Sequence, residues 1–363
     1  MLAAVAERRA EFEQKKHVPQ DVVDLFKKAG VYRAGAPRRF GGDALPPGEF
    51  LALVERISTV DGSAGWVASF GSSLTYLAAL PVETQAEIYA DGPDVVFAGG
   101  LFPVQKAQQV DGGHRVTGRW KFASGCLGAD WLGVGIQGGP ESSGKPLTAL
   151  LRPDEVTVVE SWDVIGMRGT GSHDLAVDSV TVPDSHTFVR GAEPTLDEPL
   201  FRYPVLPYAA QVLAVVGLGV ARAALDEATA RGATAGHTGA PRPAERATFR
   251  IQLARAEAQL RAARAFFYDT TGDAWDTVLA GDPVTREQAS LLRLAATHAA
   301  AAGDEATRAA FRLAGIAAIA DGHPLQRHLR DAAVVPQHAF LQEGMYDAAG
   351  AVLTGLDPFP GYL

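Results

Sequence analysis

The spacing of apolar residues changes character twice along the chain. Through residue 94 it is helical: EFLALVERISTVDGSAGWVASFGSSLTYLAAL (49–80) sets apolar positions three and four apart, with DGS as a break and a new helix start. Between 95 and 190 it turns to short β-rich runs parted by Gly, Pro, Asp and Ser, namely RVTGRWKF, WLGVGI, LTALLR, VTVVESW and LAVDSVTVP. From about Pro204 onward the helical period returns in long Ala-rich stretches, including AAQVLAVVGLGVARAALDEATA, RIQLARAEAQLRAARAFFYDTTGDAW and REQASLLRLAATHAAAAGDEATRAAFRLAGIAAIA. The pattern predicts an α+β, mainly α chain with an N-terminal helical domain (1–94), a central antiparallel β barrel or sandwich (95–190) and a C-terminal helical bundle (191–363). GHTGAPRPAE (236–245) reads as a loop between two bundle helices.

Composition narrows the function classes. A net charge of -9 argues against a nucleic-acid partner, because phosphate neutralisation needs clustered Lys and Arg. The single cysteine, Cys126, excludes an internal disulfide and a Cys-based zinc site, which makes a cytoplasmic location the default expectation. Its ordinary reading is a small buried residue. No membrane span is expected, and the charged opening MLAAVAERRAEFEQKK reads as a helix, not a signal. Ala at helix packing positions leaves apolar surface suited to a homo-oligomer.

Several chemistries lack their signatures. The Gly clusters such as GVGIQGG sit among strands with no following helix and acidic partner, so no Rossmann fingerprint supports bound nicotinamide. HExxH, P-loop and two-histidine-carboxylate patterns are missing, and no metal is expected. GTGSHD lacks the spacing of a nucleophile elbow and leads into a strand. Two other stretches stand out: GRWKFASG (118–125), a strand whose end presents a small hydroxyl, and PLQRHLRDAAVVPQH (324–338), a basic helical run ending in an imidazole. Trp66, Phe70 and Tyr76 share one helical stretch, where core packing and the lining of a substrate pocket are both open readings.

The order helices, β domain, four-helix bundle resembles the acyl-CoA dehydrogenase fold over nearly the whole chain. PRRFGG (37–42), DGSAGW (61–66), WKFASG (120–125), GMRGTGSHD (166–174) and PLQRHLRD (324–331) occur in that family's order. Within it, FASG, GMRGTGS and RD followed by QH look like the two-component flavin-dependent monooxygenase branch. The resemblance implies a homotetrameric oxygenase that takes reduced flavin, FMN or FAD, from a separate NAD(P)H:flavin reductase. With molecular oxygen, such an enzyme hydroxylates an aromatic or polycyclic small molecule through a C4a-hydroperoxyflavin.

The same resemblance assigns roles. Ser124 is the hydroxyl at flavin N5 that slows peroxide loss, and Gly125 lets backbone approach the ring. Trp120, Phe122 and Ala123 complete that cofactor wall. His338 positions the peroxide or passes a proton, and His173 is a loop residue beside the cofactor. Arg168, Arg246, Arg327 and Arg330 are candidates for the flavin phosphate, where the planar guanidinium fork suits an anion, although structural ion pairs explain such arginines equally well. The hydroxyls of Thr170 and Ser172 are candidates for the flavin chain. A turn residue is the ordinary reading of Ser124, and a core or solvent-facing imidazole that of His338.

The runner-up is an acyl-CoA dehydrogenase-type flavoprotein, whose carboxylate base removes a proton beside a thioester carbonyl. VPQHAF stands where many such enzymes carry that Glu; the nearest acid is Glu343. An N- or S-oxygenase of the same fold and a flavin-free binding protein are the remaining alternatives.

Overall fold

The computed structural model describes residues 1–234 and 241–363; the 236–240 part of the GHTGAPRPAE loop lies outside the described residues. In chain order the helices before the strands are α1 (Leu2–Lys15), α2 (Gln20–Lys28), α3 (Pro47–Ser58), α4 (Gly62–Ala68), α5 (Leu74–Leu77) and α6 (Val82–Ile88). The strands are β1 (Phe97–Gln105), β2 (Gln108–Val110), β3 (Gly113–Ala123), β4 (Trp131–Ile136), β5 (Leu147–Leu151), β6 (Thr157–Val159), β7 (His173–Pro183) and β8 (Thr187–Phe188). After them come α7 (Pro199–Arg202), α8 (Val205–Gly232), α9 (Ala247–Leu279), α10 (Arg286–Ala314), α11 (Pro324–Val334) and α12 (Gly344–Leu353).

Packing divides the chain into two compact units. One comprises Met1–Pro46, Val67–Val164 and Arg168–Val205; the other comprises Pro47–Trp66, Ile165–Met167 and Leu206–Leu363. This line differs from the compositional boundaries at 94 and 190. The difference arises because α3 packs on α9, while α2 and the turn at Ser69–Ser73 pack with the strand region.

In the first unit the strands form two four-stranded sheets, ordered β1-β4-β5-β8 and β2-β3-β7-β6. Pairing is antiparallel apart from β1 with β4, which run parallel. The exception follows from connectivity: the chain leaves the first sheet to make the β2-β3 hairpin and re-enters it in the original direction. Inward side chains, among them Val116, Trp120, Cys126, Leu132, Val134 and Leu175, close the β core. Burying a large apolar side chain of this kind contributes about 1.5–3 kcal/mol.

The local feature that matters most lies at the end of β3. Trp120 pairs with Leu175 and Ala123 with His173, so Lys121 and Phe122 together oppose Asp174. The extra residue makes a β-bulge, which bends a strand and re-aims its side chains. Phe122 sits at φ 62, and it is 68% exposed while Trp120 and Ala123 are fully buried.

The second unit is helical. Helix α8 is apolar on all sides because it is the core helix: it is long and apolar enough to cross a membrane, yet 89% of its most apolar window is buried within the protein. Helix α10 starts in a capping box, with Gln288 N–H donating to Thr285 Oγ1 (3.1 Å) and Thr285 N–H donating to Gln288 Oε1 (3.0 Å). Small residues set the helix spacing: a Cβ on Gly303 of α10 would lie 2.8 Å from the Gly217 carbonyl oxygen of α8. At the start of α11 the ring of Pro324 occupies the first turn, where its missing N–H costs nothing, and His323 Nδ1 accepts from Leu325 N–H at 3.2 Å.

Candidate functional site

In the first unit the bulge of β3 and the loop before β7 enclose a cleft of about 560 Å³, lined by Arg119, Lys121, Phe122, Trp162, Val164 and Ser172 among others. Phe122 and Trp162 meet edge to face, with ring centroids 6.3 Å apart and planes at 84°. His173 holds the Trp162 loop: its Nδ1 accepts the backbone N–H groups of Ser161 and Trp162, each at 3.2 Å. Burial lowers the His173 pKa below the usual histidine value, in keeping with a neutral acceptor ring. Asp174 ties the same loop to β3 by accepting from Arg119 Nε (2.8 Å) and Ser161 Oγ (2.8 Å).

Ser124 follows the bulge and is half-buried. Its Oγ lies 2.6 Å from Ser172 Oγ, which lies 2.7 Å from Thr170 Oγ1. Thr170 and Ser172 are 2% and 3% exposed, so this row of hydroxyls is nearly closed to water, with Ser172 also lining the cleft. Gly125 N–H donates to the Thr170 carbonyl at 2.8 Å and fixes the two segments against each other. Gly125 takes φ 71, and a Cβ there would lie 3.2 Å from the Phe70 ring. Only glycine suits both constraints.

Of the expected site residues, Ser124, Phe122 and Gly125 of the cofactor wall, Thr170 and Ser172 of the flavin chain and Phe70 of the substrate pocket gather at the strand end. Other expected residues lie elsewhere. Trp120 points into the β core, where its indole N–H donates to the Gly135 carbonyl at 2.7 Å, and the Ala123 side chain is buried in the same core. Alternation along β3 up to the bulge carries Trp120 inward, and the extra residue brings Ala123 to the same side. Arg168 is engaged by backbone near its own loop, donating to the Val164 carbonyl at 2.8 Å and the Glu13 carbonyl at 3.4 Å. Tyr76 packs against the apolar cluster that includes Leu74 and Phe97, with the Arg190 guanidinium 5.1 Å from its ring centroid. Sequence reasoning missed Trp162, Arg119, Lys121 and Asp174. An aromatic in the polar stretch ESWD just after a strand was the available signal.

In the second unit His338 stands between two aromatic rings, 5.9 Å from Trp66 and 5.2 Å from Phe340 by centroids. Its Nδ1 accepts Phe340 N–H at 3.2 Å, which assigns the remaining ring hydrogen of the neutral form to Nε2. Burial, and then the positive charge of Arg293, lower its pKa to about 4. Arg293 is itself buried, with its guanidinium 5.1 Å from the Phe340 ring centroid. His338 is therefore a neutral N–H donor in an aromatic setting.

The arginines of this unit divide. Arg330 donates to the Ile165 carbonyl at 2.9 Å and Asp331 accepts Met167 N–H at 2.6 Å, so the RD pair holds the Ile165–Met167 segment. Arg327, also on α11, keeps a buried Nη2 with no hydrogen-bond acceptor among the described residues. Arg246 is exposed at the N-cap of α9 and enters no salt bridge among the described residues. Glu343 is exposed beside α12 and is no buried base.

The residues present fit a flavin. In the first unit an aromatic rim, a hydroxyl and a glycine-backed strand end suit a planar ring. The cleft volume falls within the roughly 300–1,000 Å³ usual for such ligands.

Comparison with known proteins agrees. The family profile for the acyl-CoA dehydrogenase N-terminal domain matches residues 2–90, and that for the acyl-CoA dehydrogenase C-terminal domain matches residues 211–343. An indole-3-acetate monooxygenase from Pseudomonas putida is 52% identical over 98% of this chain and 92% of its own length. The oxygenase component of an FADH(2)-dependent resorcinol hydroxylase from Rhizobium sp. is 30% identical over 95% of this chain and 90% of its own. The crystal structure of 3-HSA hydroxylase from Rhodococcus sp. RHA1 superposes with a TM-score of 0.91 at 26% identity, covering 100% of this chain and 97% of that one. The chain belongs to the two-component flavin-dependent monooxygenases of the acyl-CoA dehydrogenase fold, oxygenases that receive reduced flavin from a separate reductase and consume molecular oxygen.

Proposed function

We propose that this oxygenase hydroxylates an aromatic carboxylic acid of the arylacetate class, with an indole-ring acid as its leading candidate. The observation that carries the substrate class is the 52% identity, across nearly the full chain, to an indole-3-acetate monooxygenase. Bound reduced flavin supplies two electrons, so that one atom of molecular oxygen enters the substrate and the other leaves as water.

The chain's own residues do the rest. Ser124 holds the N5 hydrogen of the ring, and Phe122 and Trp162 cover the ring from water. Gly125 lets the strand end approach. His338, neutral above about pH 4, offers its Nε2 hydrogen beside Trp66, where an aromatic substrate finds apolar surface. Exposed apolar residues such as Ile251, Ile316, Ile319 and Leu353 favour a homotetramer, and dependence on reduced flavin favours a cytoplasmic setting.

The test is to mix the protein anaerobically with reduced FMN or FAD and indole-3-acetate, then admit oxygen and quantify hydroxylated product and hydrogen peroxide. Product in step with oxygen, falling in favour of peroxide in Ser124→Ala, is the expected result. Peroxide alone with every arylacetate tried would overturn the substrate class. Light scattering of the purified protein tests the tetramer.

A further inference from the structure

Ser124 does not stand alone. It ends a row of three side-chain hydroxyls, Ser124–Ser172–Thr170, with oxygen separations of 2.6 and 2.7 Å. A hydroxyl has one hydrogen to give and two lone pairs. At 2.6 Å the hydrogen between Ser124 and Ser172 comes from one of them, and that choice decides what Ser124, the most exposed of the three, offers to a ligand. If Ser124 donates inward, it turns a lone pair outward and accepts from an N–H. If it receives from Ser172, it turns its hydrogen outward and donates. Reduced flavin carries a hydrogen on N5 and needs an acceptor, whereas oxidised flavin has a bare N5 and needs a donor.

The surroundings hold this row rigidly. Thr170 and Ser172 are almost fully buried, so water does not compete for their hydrogen bonds. Gly125 N–H is bonded to the Thr170 carbonyl at 2.8 Å, and His173 N–H to the Gly171 carbonyl at 2.7 Å. Between the two hydroxyls Gly171 sits at φ 56, where a Cβ would lie 2.9 Å from His17 Cβ. This backbone turn places Thr170 and Ser172 on one side.

We propose that Ser172 is a positioning residue that draws the Ser124 hydroxyl hydrogen inward, with Thr170 receiving that of Ser172 in turn, so that the site prefers reduced over oxidised flavin. The inference rests on the reading of Ser124 as the N5 partner. It involves only the direction of hydrogen bonds, and no bond is made or broken. Ser172 acts through Ser124 and carries no step of its own.

The experiment is a pair of titrations, with oxidised flavin in air and with reduced flavin under argon, read as the ratio of the two dissociation constants. It is applied to the full chain and to Ser172→Ala, Ser172→Thr, Thr170→Val, Ser124→Ala and Ser124→Ala/Ser172→Ala. Ser172→Ala should lower the preference for reduced flavin roughly fivefold, the worth of one hydrogen bond. Thr170→Val should shift it the same way by less, and Ser172→Thr, which restores the hydroxyl, should recover much of it. In the Ser124→Ala background Ser172→Ala should change nothing further. A ratio that moves in Ser124→Ala but not in Ser172→Ala or Thr170→Val overturns the relay and leaves Ser124 standing. Equal weakening of both flavin forms by Ser172→Ala also overturns it, as a packing effect. A ratio unmoved by Ser124→Ala removes the N5 assignment itself.

Discussion

His338 offers a quantitative check on how burial sets chemistry in the second unit. Its ring lies between Trp66 and Phe340, its Nδ1 is taken by the Phe340 amide, and the buried Arg293 charge stands nearby. Burial first, and Arg293 second, lower the pKa from 6.5 to about 4. A shift of that size corresponds to roughly 3 kcal/mol at about 1.36 kcal/mol per unit. In the unfolded chain the same imidazole takes up a proton near pH 6.5, so the unfolded state binds more protons between that value and about 4. Stability therefore falls as pH drops through this window and levels off below it. At pH 5.0 the loss is roughly 2 kcal/mol relative to pH 7.5, from about 1.5 units of uncompensated proton binding. The assay compares urea unfolding of the wild-type chain and His338→Gln at these two pH values, without flavin or substrate. The other histidines are common to both proteins and cancel. The wild type should lose roughly 2 kcal/mol more than the variant. Identical losses would mean that His338 titrates normally, and the case for a neutral donor at working pH would fail. The same logic predicts no limb near pH 6.5 from this residue in the rate profile.

Three further outcomes follow from named contacts. Asp331→Ala leaves the Met167 N–H, now bonded at 2.6 Å, without this acceptor; a loss of about 1–3 kcal/mol is expected, read as a lowered Tm, and Asp331→Asn should keep most of the stability. Trp120→Phe removes the 2.7 Å bond to the Gly135 carbonyl in the β core and should likewise cost about 1–3 kcal/mol in thermal unfolding. Arg327→Met removes a buried donor that has no acceptor among the described residues, so Tm should hold or rise. A clear fall in Tm would mean that the guanidinium is partnered in the folded chain.

The elements are legible in the sequence because their periods differ: apolar spacing of three and four marks α8 to α10, and short β-rich runs mark the strands. Ser124 and His338 are picked out by the family resemblance, since on local pattern alone a turn serine and a core or solvent-facing imidazole are their ordinary readings. The end of β3 is where local pattern fails. Strict period two puts Trp120 and Phe122 on one face, in line with an expected cofactor wall that includes both. The bulge at Lys121 and Phe122 breaks the rule, leaving Trp120 inside and turning Phe122 out. A bulge is defined by the partner strand, which lies far along the chain at Asp174, and nothing local to WKFASG announces it. The hydroxyl row is hidden for the same reason. The family resemblance makes Thr170 and Ser172 candidates for the flavin chain, and local pattern gives no sign that the fold also sets them in one hydroxyl row with Ser124. The bulge thus has two consequences from one extra residue: it exposes an aromatic ring to the cleft, and it brings the end of β3 to the loop whose hydroxyls orient Ser124. A deletion of Lys121 that restored regular pairing would therefore be expected to bury Phe122 and separate Ser124 from Ser172 together, abolishing flavin binding in a titration while the β core persists by circular dichroism.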